Sequence, residues 1–437
     1  MGWWFNAAYA LALLGASPFL AWKAWRTGKY REGWSEKLWG KLPALPDDSL
    51  QLWAHAVSVG EVAVLQTFLA RFRARFPDWR CLVSTTTQAG MRVAQARLAE
   101  HAICYAPWDF TWAVRRAIRR VQPRVLVLTE LELWPNWIRE ADRHHIPVAV
   151  INGRLSSGSF RGYRKLKPIL APTFHRLAAV AAQDELYAER FIELGCRPEA
   201  VSVTGSMKFD GLLADRSHPE VRNRAMLWAV GPQDRVWVAG STQPEEDRVV
   251  LDVFARLAAG FPQLRCVLVP RHPEHFEAAA RWMARCGWPW TRRSELNSPT
   301  ASRLLLVDTI GELRYWWGIA DLAFVGGSLA KGRGGQNMLE PAAFGAAIAF
   351  GPHTWNFRDI VQKLLDQQAA CVVRNGRELE QFVRQALSDE HWRRDMGQRA
   401  RQLVLRHQGA VDRTLDFLCQ RLDVLAAAPG RSDTMKF

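Results

Sequence analysis

The chain has 437 residues, 49% hydrophobic and 23% charged. That suits two or three domains with full cores and excludes a disordered tail, a disulfide-stapled miniprotein and a polytopic membrane protein. Its 58 Lys+Arg against 43 Asp+Glu leave a net charge of +15, a balance that draws anionic lipid or nucleic acid.

Residues 3–22 carry no charge and are interrupted mainly by Asn6, Ser17 and Pro18. Twenty helical residues rise about 30 Å, roughly the hydrocarbon thickness, so a spanning anchor is expected, with an interfacial helix as the alternative. The flank Lys23, Arg26, Lys29 and Arg31 is basic, which keeps the rest of the chain cytoplasmic. A cleaved signal is disfavoured: no basic n-region precedes the run and no small-x-small cleavage site follows it. Twenty-one tryptophans suit a protein at a lipid–water boundary.

Beyond this start, short apolar runs alternate with helical patterns. Strands are expected at 52–59, 81–84, 125–128, 148–151, 178–181 and 201–203, with helices such as 62–75 and 112–121 between them. The series restarts with strands at 236–239, 266–269, 304–307, 322–325, 347–350 and 371–373. Such alternation predicts parallel sheets covered on both faces, hence an α/β fold of two Rossmann-like domains with ligands at the strands' carboxyl ends. The expected organisation is a membrane anchor over 1–25 and a basic juxtamembrane segment over 26–47. An N-terminal domain follows over 48–213, a linker over 214–234, a C-terminal domain over 235–426 and a disordered tail over 427–437.

The seven cysteines are dispersed, with no C-x-x-C pair and no His at ligand spacing, so neither a zinc site nor a disulfide framework is expected. No G-x-G-x-x-G fingerprint follows the first strand and no Walker A motif is present, which disfavours a dinucleotide dehydrogenase or a P-loop enzyme. Helix-turn-helix, zinc-finger and RNP signatures are missing too, so no nucleic-acid partner is expected. The basic stretch 154–167 (RLSSGSFRGYRKLK) reads as a solvated face or as a dock for a phosphorylated substrate or lipid headgroups.

Chemistry-bearing residues fall at strand ends. Glu61 closes VSVGE (57–61) at the start of a helix, where the helix dipole favours a carboxylate. Glu130 and Glu132 lie in TELELWPN (129–136). Two carboxylate sites facing one cleft suit general-base work. In the second half, Ser241 and Thr242 open a helix with small residues, and Arg271 stands in VPRHPE (269–274), placed to meet a phosphate or carboxylate. A glycine-rich loop then runs from Gly326 into GGQNMLEP (334–341). Its backbone N–H groups could cradle a phosphate, and Glu340 could accept ribose hydroxyls.

Together with GRLS (153–156), GSMKFD (205–210) and DTIGEL (308–313), these motifs closely resemble the 3-deoxy-D-manno-octulosonic acid (Kdo) transferases of lipopolysaccharide synthesis. The match runs in order over most of the chain. The resemblance implies a GT-B glycosyltransferase on the cytoplasmic face of a bacterial inner membrane. It would carry Kdo with inversion from CMP-Kdo to the 6′-hydroxyl of a lipid A precursor, with no metal or other cofactor. By the same resemblance Glu61 is the base and Glu130 a second residue needed for activity. Ser58, Lys208, Ser241, Arg271, Gly311, Gly335, Asn337 and Glu340 fall on the donor side, with cations toward the CMP phosphate or Kdo carboxylate. Arg154, Arg161 and Arg164 fall on the acceptor side. The chain departs from the family pattern at Gln336 and Gln243, where His is usual, and at Ser206-Met207, where Asn-Leu is common. Rival readings are another GT-B sugar-nucleotide enzyme, such as a different CMP-ulosonic acid transferase or an epimerase, and a non-catalytic protein binding anionic lipid.

Overall fold

Apolar β-branched runs bounded by helical stretches fold as anticipated, into two parallel sheets. The computed structural model describes residues 32–43, 51–130 and 133–426, with positions 6, 7, 9–11, 14, 15, 17, 22 and 26. The first sheet contains β1 (Gln51–His55), β2 (Arg80–Thr85), β3 (Ala102–Tyr105), β4 (Val125–Thr129), β5 (Val148–Gly153), β6 (Ala179–Ala182) and β7 (Val201–Val203). Its order is β3-β2-β1-β4-β5-β6-β7, every pairing parallel. The second contains β8 (Arg235–Thr242), β9 (Leu264–Pro270), β10 (Trp290–Arg292), β11 (Leu304–Leu306), β12 (Leu322–Val325), β13 (Ala347–Phe350) and β14 (Cys371–Val372). Its order is β10-β11-β9-β8-β12-β13-β14, again parallel.

Burial explains these runs. Leu52 and Ala54 of β1 join one hydrophobic cluster and Trp53 the cluster on the opposite face. Side chains alternate along a strand, so a strand covered on both faces reads as a continuous apolar run. The strands β3 and β10, not anticipated from the sequence, are edge strands with half-exposed residues. β1 stops at His55 and not at residue 59, because Ser58 caps a helix spanning Val59–Arg75.

The chain forms two compact units: residues up to Asp210 together with those from Gln408 onward, and Gly211–His407. This corrects two expected boundaries. The stretch 214–234 holds the helix Pro219–Leu227, which belongs to the second unit. The helix Ala410–Arg421, expected in the second domain, returns to the first. Its Val411, Leu415 and Leu418, with Leu422 beyond it, join the cluster that covers β1, β2 and β4. Asp210 fixes the return, accepting the N–H groups of Gly409 (2.7 Å) and Val411 (2.6 Å).

The expected anchor over 1–25 lies largely outside the described residues, as do 44–50 of the juxtamembrane segment and the tail 427–437. Among the described residues no helix is long and apolar enough to cross a membrane. Asn6, a polar interruption of the apolar run, is buried in the first unit. Its Oδ1 accepts from Thr111 N–H (3.0 Å), Thr111 Oγ1 (3.1 Å) and Asn136 Nδ2 (3.3 Å).

Candidate active site

In doubly wound sheets the ligand crevice opens where strand order reverses, beyond the strands' carboxyl ends. In the first sheet that point lies between β1 and β4, and both acidic motifs emerge there. After β1, the Ser58 side chain caps the helix and donates to Glu61 Oε1 at 2.7 Å, while Val57 N–H donates to Oε2 at 2.8 Å. Thr85 and Thr87 hydroxyls both donate to Val57 O, which stiffens the turn. Glu61 is only 8% exposed. Burial raises its pKa above the ordinary glutamate range, the Ser58 and Val57 bonds oppose the rise, and the nearby charge of Glu130 adds to it. A carboxylate tuned upward is a stronger base near neutral pH than an exposed one.

Glu130 follows β4 in a left-handed backbone conformation, φ 62°, uncommon for a non-glycine residue. Its Oε1 lies 2.7 Å from Lys208 Nζ. Lys208 is presented by the short turn Met207–Phe209, and Asn152 Oδ1 accepts Met207 N–H at 3.0 Å to hold that turn. Lys208, assigned by resemblance to the donor side, therefore pairs with a carboxylate of the first unit. Ser58, given the same side, holds Glu61. The first unit thus brings Ser58, Glu61, Glu130 and Lys208 together. Glu132 lies outside the described residues.

Arg154 follows β5 and is half-buried, whereas Arg161 and Arg164 are exposed on the helix Ser157–Lys165. Arg164 also reaches Glu193, at 3.9 Å.

Sequence reasoning passed over two neighbours. His55, at the end of β1, is wholly buried beside the Trp137 ring, 5.1 Å between centroids. Its Nδ1 lies 3.0 Å from Ser84 Oγ, its Nε2 has no hydrogen-bond partner among the described residues, and burial pushes its pKa down to about 4. Asp109 accepts the N–H groups of Asn136 and Trp137, so it caps the helix that leaves the TELELWPN motif. Burial lifts its pKa to about 7. A lone His in an apolar strand gives no signal by itself, and Asp109 lies 26 positions before Pro135, away from the adjacent position where a sequence pattern announces a cap.

In the second sheet the reversal lies between β8 and β12. Ser241 sits there with φ 57°, at a register shift in the β8–β9 pairing. Arg271 directly follows β9 with an exposed side chain, and its N–H donates to Thr242 O. Gly335, φ 80°, donates its N–H to Gly327 O at 2.8 Å. Asn337 Oδ1 accepts Leu339 N–H, and its Nδ2 donates to Glu340 Oε1 at 3.3 Å. Gly311, φ 84°, lies in the exposed loop after β11. One expectation changes: the N–H groups of Gly327, Ser328 and Leu329 at the start of the glycine-rich loop already donate to Glu246. Among the described residues no cluster of three or more His, Cys, Asp or Glu could hold a metal ion.

Known proteins similar to this chain point to one family. A family model described as 3-Deoxy-D-manno-octulosonic-acid transferase (kdotransferase) matches residues 27–211. The 3-deoxy-D-manno-octulosonic acid transferase of Haemophilus influenzae is 33% identical over 399 residues, covering 90% of this chain and 92% of that protein. That of Bordetella pertussis is 33% identical over 432 residues, covering 94% and 98%. Among solved structures, the S. aureus MnaA–UDP co-structure has a TM-score of 0.54 at 12% identity, covering 87% of this chain and 99% of that one. The UDP complex of Anabaena Alr3699/HepE has the same TM-score and identity, covering 85% and 99%. At that identity the two structures speak to the fold alone. The ordered motifs and the two near-full-length relatives together show that this glycosyltransferase belongs to the 3-deoxy-D-manno-octulosonic acid transferase family.

Proposed function

We propose that the chain is an inverting GT-B enzyme that moves Kdo from CMP-Kdo to the 6′-hydroxyl of a lipid A precursor at the cytoplasmic face of a bacterial inner membrane. The observation that carries this reading is Glu61, a buried carboxylate with a raised pKa, held at the β1/β4 reversal beside Glu130. In the step, Glu61 takes the proton from the acceptor hydroxyl as its oxygen bonds to C2 of Kdo. The bond from C2 to the phosphate oxygen breaks and CMP departs with the electron pair. Glu130, held in place by its ion pair with Lys208, lies beside the base, and its negative charge adds to the rise in the Glu61 pKa.

The second unit takes the donor. Arg271 is the exposed cation at a strand end and would meet charge growing on the leaving phosphate. Ser241, Gly311 and Gly335 are assigned to the same donor side, and the Asn337–Glu340 pair would face the ribose. No metal or organic cofactor is assigned a step. Arg154, Arg161 and Arg164 serve the acceptor's phosphates, and the basic surface together with the N-terminal segment keeps the enzyme at membrane lipid.

Replacing Glu61 by Gln should lower transfer from CMP-Kdo to a lipid A precursor by about 10²–10⁴-fold, the usual share of general-base catalysis. CMP affinity, read by isothermal titration calorimetry, should stay as in the parent chain. Parent-like turnover in that variant would remove Glu61 from the base role, and mass spectrometry of the product fixes the acceptor and the number of Kdo units added.

A further inference from the structure

Glu246 is the third residue of the helix Pro244–Ala258 that follows β8, and it is 1% exposed. Its Oε1 accepts Ser328 N–H at 2.9 Å and Leu329 N–H at 2.8 Å. Its Oε2 accepts Gln243 N–H at 2.9 Å and Gly327 N–H at 2.7 Å. Four donors fill the roughly four lone-pair sites of an ionised carboxylate, which makes its burial tolerable without a cation. The loop is shaped around it: a Cβ on Gly326 would come within 2.8 Å of Glu246 Oε2 and 2.6 Å of Thr242 Cα. Gly327 takes φ 67°, and Ser328 Oγ accepts Gly351 N–H at 2.8 Å while donating to Val325 O.

Successive backbone N–H groups turned toward one point form an anion-binding nest, the arrangement that commonly holds a phosphate at a glycine-rich turn. Here the protein's own anion fills it. We propose that Glu246 is a positioning and specificity-determining residue of the donor site, an internal anion that sets the glycine-rich loop before the donor arrives and denies this nest to a second phosphate. The inference rests on the reading of the second unit as a CMP-sugar site and deepens it. A nucleoside monophosphate needs one phosphate contact, which Arg271 can supply. A nucleoside diphosphate would bring further negative charge to a loop whose Gly327, Ser328 and Leu329 amides are already taken by the Glu246 carboxylate. This discriminates by placing repulsion and unavailable donors against the wrong ligand.

The test is calorimetric titration of the full chain with CMP and with CDP, paired with a melting temperature for each variant. The parent chain should bind CMP more tightly than CDP by about tenfold or more. Glu246→Gln keeps the side chain's size but loses the charge and one acceptor oxygen. Its CMP-over-CDP preference should shrink by about tenfold, mostly through tighter CDP binding. Equal weakening of both nucleotides would reduce Glu246 to a structural group and overturn the specificity claim. A parent chain that binds CDP as well as CMP overturns it without any variant, so the claim survives no failure of the variant to fold. Binding of neither nucleotide to the parent would sink the donor reading itself, a result distinct from loss of preference.

Discussion

Among the described residues, three non-glycine residues with positive φ stand at strand ends: Glu130 after β4, Asn152 near the end of β5 and Ser241 near the end of β8. Each such conformation costs on the order of 1–3 kcal/mol and persists only where the surroundings enforce it, commonly at functional sites. At Glu130 the enforcing contacts are a backbone bond from its N–H to Ile151 O and the ion pair with Lys208. Because the Glu130 charge is among the causes that raise the pKa of Glu61, Glu130→Gln should lower that pKa. The acidic limb of kcat/KM for the residual activity should then move to lower pH, and an unmoved or raised limb would decouple the two carboxylates. His55 offers a separate test of burial. Its folded-state pKa of about 4 lies below the ordinary histidine value of 6.5, so at lower pH the unfolded chain binds a proton that the folded chain does not. The contribution is intact above pH 6.5 and is lost as pH falls toward 4, reaching about 3 kcal/mol at the full shift. Urea denaturation of the first unit across that window, compared with His55→Gln, should show the slope disappearing in the variant.

At the scale of elements, the GSMKFD motif divides its work. Lys208 turns toward Glu130, whereas Asp210 caps the returning helix Ala410–Arg421. Thr204, just before the motif, receives the same helix through Arg413 Nε (2.9 Å) and Thr414 Oγ1 (2.8 Å). One short segment therefore ties the Glu130 partner to the cover of the first sheet. Leu418 is fully buried in that cover, and Leu418→Ala should cost about 2–5 kcal/mol, the range for a buried leucine whose cavity relaxes only in part. Hydrogen exchange should place the loss in β1, β2 and β4 of the first unit, with the second sheet protected as before. Loss centred on β8–β14 would assign the helix to the wrong sheet.

For the whole molecule, the chain passes between its units twice, at Asp210–Gly211 and at His407–Gln408. The +15 charge adds a long-range attraction for anionic lipid surfaces. In the proposed membrane placement, the exposed Arg161 and Arg164 would carry part of that attraction, at about 1 kcal/mol per basic residue near a lipid surface. Reversing both, Arg161→Glu with Arg164→Glu, should weaken binding to phosphatidylserine-containing vesicles by about tenfold or more and reduce its salt sensitivity, with CMP affinity unchanged. Sedimentation with vesicles at two ionic strengths reads the first effect and calorimetry the second. Vesicle binding equal to the parent's would take these arginines out of the lipid-facing surface.

The amino-acid sequence by itself determined the α/β class, the tandem of parallel sheets and the strand ends that carry Glu61, Glu130, Arg271 and the glycine-rich loop. Strands buried on both faces write continuous apolar runs, and residues next to them are placed by the chain itself. Edge strand β10 (Trp290–Arg292) escaped because Thr291 and Arg292 leave no apolar run to read. Tertiary structure alone decided that Lys208 pairs with Glu130, that Glu246 occupies the loop amides and that the helix Ala410–Arg421 covers the first sheet. Those are contacts between residues 78 to more than 300 positions apart, and an amphipathic stripe or a lone charge specifies that it needs a partner without specifying which one.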